Sequence, residues 1–76
     1  MKNIDEVTIG QAIRKFRKER KISQQSINDA MGFGASWLSD VERGKQTITF
    51  NNILRLCDLM SINIDELTDY IMKQSK

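Results

Sequence analysis

Apolar residues recur along this chain at three- and four-residue intervals in five stretches, separated by short polar breaks, which is the spacing of amphipathic helices. The first stretch carries Ile9, Ile13 and Phe16 at i, i+4, i+7 and predicts a helix to about Arg20. Thr8 is its expected N-cap, with Gln11 three residues later completing a capping-box pattern. After a break at Lys21 and Ile22, Ser23 caps a second helix over about 24–31, with Ile27 and Met31 on one face. Gly32 follows, where a helix end commonly needs a left-handed residue. A third helix is expected over about 35–43, with Leu38 and Val41 three apart and Gly44 closing it. Thr49 caps a fourth helix whose apolar positions Phe50, Ile53, Leu54, Leu56, Cys57 and Met60 span a face wide enough to be mostly buried. Asn63 with Glu66 opens a last helix carrying Ile64, Leu67, Tyr70 and Ile71.

The segment Gln24–Arg43 organises the rest. A small core is expected to close over Ile27, Met31, Phe33, Leu38 and Val41, leaving Ala35, Ser36, Trp37, Ser39 and Asp40 largely outward. That is the geometry of a helix-turn-helix, which offers its second helix to a groove. The predicted organisation is an N-terminal arm over 1–7, one all-α domain of five helices over 8–72, and a tail over 73–76.

Composition narrows the function classes. With 76 residues, one cysteine and no histidine, the chain has no internal disulfide, no common zinc-ligand set and no histidine-based acyl-transfer triad. An enzyme is therefore not expected, nor a metal or cofactor. Cys57 lies within an apolar stripe and reads as a small buried hydrophobe. The opening MKNIDEVT lacks an apolar core, and no apolar run approaches membrane length, so a cytoplasmic, non-membrane protein is expected. A net charge of +2 does not by itself imply nucleic acid, but its distribution does more. RKFRKERK over 14–21 carries six basic residues and one acidic, whereas 58–69 holds Asp58, Asp65, Glu66 and Asp69 and no base. Such polarity orients a molecule towards a polyanion. The basic residues of the first helix also fit an ordinary solvated face.

The segments IGQAIRKFRKERKIS, MGFG, LSDVERGK and SINIDEL together resemble the Cro/C1-type (XRE-family) helix-turn-helix domain of phage repressors and small bacterial regulators. The resemblance covers residues 8–68 and implies a lambda-repressor-like five-helix bundle. It also implies an ion pair between Arg17 of the first helix and Glu42 at the end of the third. Departures from the family pattern are Asn28 in place of alanine, Gly34 in place of a hydroxyl cap, Ile48 in place of proline and Ser61 in place of glycine.

DNA recognition requires donors that fix register on phosphates and side chains that reach base edges. Gln24 and Gln25, at the start of the second helix, are candidates for a phosphate. Arg43, Lys45, Gln46 and Thr47 are candidates on the other side of the groove, and Arg43 is also placed to reach a guanine. Ala35, Ser36, Trp37, Ser39 and Asp40 are the base-reading candidates, a set with no basic residue. For Trp37, a place in the core competes with a place on the DNA-facing rim. Ile62, Ile64, Leu67, Tyr70, Ile71 and Met72 are candidates for a homodimer interface, against the plainer role of completing the chain's own core. The expectation is a dimeric transcriptional regulator, repressor or autoregulator, on an inverted repeat of double-stranded DNA. The alternative is a protein-interaction module, such as an antitoxin or partner-binding regulator, with a protein partner.

Overall fold

The computed structural model describes residues 4–74, and these form five helices: α1 (Glu6–Glu19), α2 (Gln24–Met31), α3 (Trp37–Glu42), α4 (Phe50–Leu59) and α5 (Ile64–Gln74). Helix α1 is the spine, packing on α3 and α5, while α2 bridges α3 and α4, and α4 closes against α5. The core they enclose is built from Ala12, Ile13, Ile27, Leu38, Leu56 and Leu67, with Met31, Val41 and Met60 around them.

Local chemistry sets most helix boundaries. Ser23 and Thr49 accept hydrogen bonds from the backbone N–H of Ser26 and Asn52, and Asn63 accepts one from Glu66 at 2.9 Å. Each satisfies a first-turn donor that has no partner within its helix. The first helix departs from expectation. Its cap is Asp5, whose carboxylate accepts from the Thr8 N–H at 2.9 Å, so helix begins at Glu6 and takes in two residues assigned to the arm. That hydrogen bond also holds the Asp5 carboxyl below its ordinary pKa. Residues 1–3 of the expected arm and 75–76 of the expected tail lie outside the described residues, and α5 runs on through Gln74.

Two connections pass through left-handed residues that are not glycine. Lys21 and Ser61 both have φ of 56°, in the α1–α2 and α4–α5 turns. The helix end at Ser61 thus keeps the geometry that glycine would take, and carries the steric cost of a Cβ there.

The apolar face of α4 is narrower than its composition predicted. Leu56 and Cys57 are buried, with Met60 just beyond, but Phe50 is 65% exposed and Leu54 41%. Helix α4 packs on α2 and α5, and Phe50 in its first turn lies on the rim of an open apolar groove rather than in the core. Cys57 is buried as expected, and burial pushes its thiol pKa up, with Glu66 adding to the effect.

Candidate nucleic-acid interface

Helix α3 has only six residues, shorter than the 35–43 predicted, because Gly34, Ala35 and Ser36 form a turn rather than a first helical turn. Ser36 occupies its N-cap position but makes no side-chain capping bond. The missing cap comes from across the turn. Asn28 of α2 is buried, accepts the Leu38 N–H through Oδ1 at 3.0 Å and donates through Nδ2 to the Ala35 carbonyl at 3.0 Å. The asparagine that departs from the family pattern therefore supplies what Gly34 and Ser36 do not.

Behind α3 the fixing is ionic. Arg17 donates to Glu42 through Nε at 2.6 Å and Nη2 at 3.0 Å, and its Nη1 reaches the Ile22 carbonyl at 2.8 Å. Both side chains are buried, so the two-point fork fixes an angle as well as a distance. The α1–α3 approach is closer still at Gly10, where a Cβ would meet the Val41 carbonyl oxygen and lie 2.7 Å from that of Glu42. Gly44 ends α3 at φ 78°, and a Cβ there would meet Val7 of α1 at 2.6 Å. Sequence reasoning passed over Gly10, and only the fold shows the helices crossing at that point.

With Leu38, Val41 and Glu42 buried, the helical period turns Ser36, Asp40 and Arg43 away from the core. Arg43 is 57% exposed, and its Nη2 donates to Asp40 Oδ1 at 3.0 Å while its Nε reaches the Ser39 carbonyl at 3.3 Å. Ser39 donates its hydroxyl to the Ser36 carbonyl. Lys45 is exposed, and its backbone N–H is bound to the Asp40 carbonyl at 2.8 Å, which folds the loop back against α3. Gln46 and Thr47 are exposed beyond it, and Ala35 is exposed in the turn.

Three placements differ from expectation. Gln24 donates its side-chain Nε2 to Glu42 Oε1 at 2.9 Å, so in this state the amide serves the ion pair, and the backbone N–H groups of Gln24 and Gln25 are what the helix start offers a phosphate. Phe33 is 37% exposed rather than in the core. It stacks on the half-buried Trp37, ring centroids 4.5 Å apart, because the turn between α2 and α3 lifts both rings to the surface edge. Trp37 thus touches the core with one side and the rim with the other.

The basic cluster of α1 divides into two groups. Lys15 pairs with Glu19 at 2.7 Å and lies over the rings of Phe16 and Tyr70, which meet edge to face. Arg20 also lies over Phe16. Lys15 thus ties α1 to α5 and Arg20 folds back on α1 itself, whereas Arg14, Lys18 and Lys21 are exposed and in no ion pair among the described residues.

Of the apolar residues considered for a partner surface, Ile62, Leu67 and Ile71 are buried in the chain's own core, and Tyr70 packs on Phe16. Ile64 is half-buried and Met72 exposed. They flank an apolar groove between α1, α4 and α5 that Phe50, Ile53 and Ile4 complete.

A short helix locked from behind by an ion pair, capped across a turn and presenting a polar face defines a helix-turn-helix protein. The chain belongs to the helix-turn-helix domain family, whose model matches residues 8–69. It is 34% identical over 58 residues to YazB of Bacillus subtilis (strain 168), an uncharacterised HTH-type transcriptional regulator, covering 76% of this chain and 84% of that protein. It is 26% identical over 61 residues to the immunity repressor protein of Bacillus phage phi105, covering 80% of this chain but only 42% of the repressor. Among solved structures, it resembles the restriction-modification controller protein C.AhdI of Aeromonas hydrophila with a TM-score of 0.74 and 32% identity, over 82% of this chain and 94% of that one.

Proposed function

We propose that this chain is a DNA-binding transcriptional regulator that lays α3 in the major groove and acts as a dimer on an inverted repeat. The observation that carries the reading is the two-sided construction of α3. Its inner face is fixed by Arg17–Glu42, Gly10 and Asn28, while its outer face carries Ser36, Asp40 and Arg43. Rigid support of an exposed polar helix is what groove insertion requires, because base contacts discriminate only when the side chains are held in register. The backbone amides at the start of α2 and the side chain of Lys45 flank that face as phosphate donors, with Gln46 and Thr47 next in the loop. Trp37, Ala35 and Ser39 line its edge.

Two features support a dimer. One small module buries too little surface for tight specific binding. The domain also carries an apolar groove beside Phe50 that a second copy would cover, and a dimer on an inverted repeat needs its two α3 helices about one DNA turn, roughly 34 Å, apart. Arg14, Lys18 and Lys21 add steering charge at the periphery.

Selection of bound sites from random duplex DNA, with nonspecific competitor, tests the reading. The expected result is an inverted repeat with half-sites one turn apart and an affinity that falls steeply with salt. A second reading, a protein-interaction module, is favoured by one observation: Asp40 neutralises the one arginine on the outer face of α3. Failure to enrich any sequence at low salt would favour that reading.

A further inference from the structure

The ion pair on the outer face of α3 has a more specific meaning than mutual neutralisation. A guanidinium has five N–H donors in a planar fork. In Arg43, one edge of the fork is held by its own helix: Nε by the Ser39 carbonyl and Nη2 by Asp40 Oδ1. The opposite edge, Nη1 with the second Nη2 hydrogen, has no hydrogen-bond partner among the described residues and is set in orientation by the bonds behind it. Asp40 accepts from Arg43 through Oδ1, and its second oxygen, Oδ2, has no hydrogen-bond partner among the described residues. The side chains stand one helical turn apart on the face that points away from the core.

Together they present two parallel donors next to an acceptor. In the major groove a guanine–cytosine pair presents the complement: the guanine N7 and O6 acceptors, then the cytosine N4 donor. An adenine–thymine pair places the adenine N6 donor where the fork needs an acceptor. We infer that Asp40 and Arg43 act as one unit that reads a single guanine–cytosine pair in each half-site, with Arg43 on the guanine and Asp40 both orienting it and accepting from the cytosine. The unit carries no net charge, so it adds little to the attraction for phosphates and contributes mainly to discrimination. This rests on the DNA-binding reading above.

Site selection with the parent chain, Asp40→Asn and Arg43→Lys tests it, alongside affinity measured against salt on a selected site. Arg43 is exposed and Asp40 half-buried, and unchanged circular dichroism melts would show that the variants fold. The parent is expected to enrich one fixed guanine–cytosine pair per half-site. Both variants should relax that position alone, by about tenfold in discrimination. Asp40→Asn should also steepen the salt dependence by about one phosphate contact, because it frees the Arg43 charge. If Asp40→Asn leaves that preference intact, or only raises affinity for all sequences alike, the joint reader is wrong and DNA recognition stands without it. If the parent enriches no sequence, the DNA-binding reading falls and takes this one with it.

Discussion

Replacing Glu42 with glutamine tests how the recognition helix is held. Glu42 accepts from Arg17 at 2.6 and 3.0 Å and from Gln24 at 2.9 Å, three donors converging on one buried carboxylate. A glutamine keeps the shape but offers one acceptor oxygen and a donor NH2, so at least one of the Arg17 donors would face another donor. Removing one partner of a buried pair costs about 3–5 kcal/mol, because the remaining charge stays desolvated. The residual acceptor puts the expectation near the lower end, about 3 kcal/mol. A domain of this length has a total stability of roughly 4–11 kcal/mol. The loss should lower the midpoint temperature on the order of 12–24 °C, at 4–8 °C per kcal/mol. Urea and thermal denaturation followed by far-ultraviolet circular dichroism would measure it. The loss should be nearly independent of salt, since buried pairs are poorly screened. The double variant Arg17→Met with Glu42→Leu should recover much of the stability, because no charge is then left buried. A loss below about 1 kcal/mol, or one that disappears in high salt, would mean a solvated surface pair and refute the lock.

Gly10→Ala should destabilise the fold by about 1–3 kcal/mol despite the better helix propensity of alanine, since its Cβ would meet backbone carbonyl oxygens that cannot rotate away; chemical denaturation checks it. Asn28→Ala should cost about 1–3 kcal/mol through the uncapped Leu38 N–H, and a loss within a few tenths would show that water replaces the cap. Ser61→Gly should raise stability by about 1 kcal/mol, because φ of 56° carries a Cβ penalty that glycine lacks; an unchanged urea midpoint would show that the turn relaxes in solution.

What could be read in the sequence follows the range of the interactions involved. Ser23, Thr49 and Asn63 each act on an N–H three residues away, so a short window suffices to find them. Leu38 and Val41 fall on the core face by helical period alone. The Arg17–Glu42 pair spans 25 residues and was legible only through family resemblance. Asn28 and Gly10 were not legible as what they are, since a cap supplied from the preceding helix and a glycine under a crossing helix depend on where two elements meet. The same limit explains Phe50 and Leu54, whose apolar character promised burial but whose exposure depends on where the neighbouring helices lie. Thr8 lost its place as cap to Asp5, three residues earlier, because both positions satisfy the local pattern and the longer helix gains another turn.

The two hydrogen bonds of Asn28 across the turn also bear on how this protein opens. A six-residue helix is far too short to persist alone, so the order of α3 is borrowed from α2 and α1. With its first free amide held by a side chain of α2 and its last turn held by Arg17 of α1, α3 has no independent route to fray. The amides of α2 and α3 should exchange with solvent in one cooperative event rather than in sequence. The surface presented to a partner is then either fully formed or absent, and ligand binding would be seen as protection of both helices together.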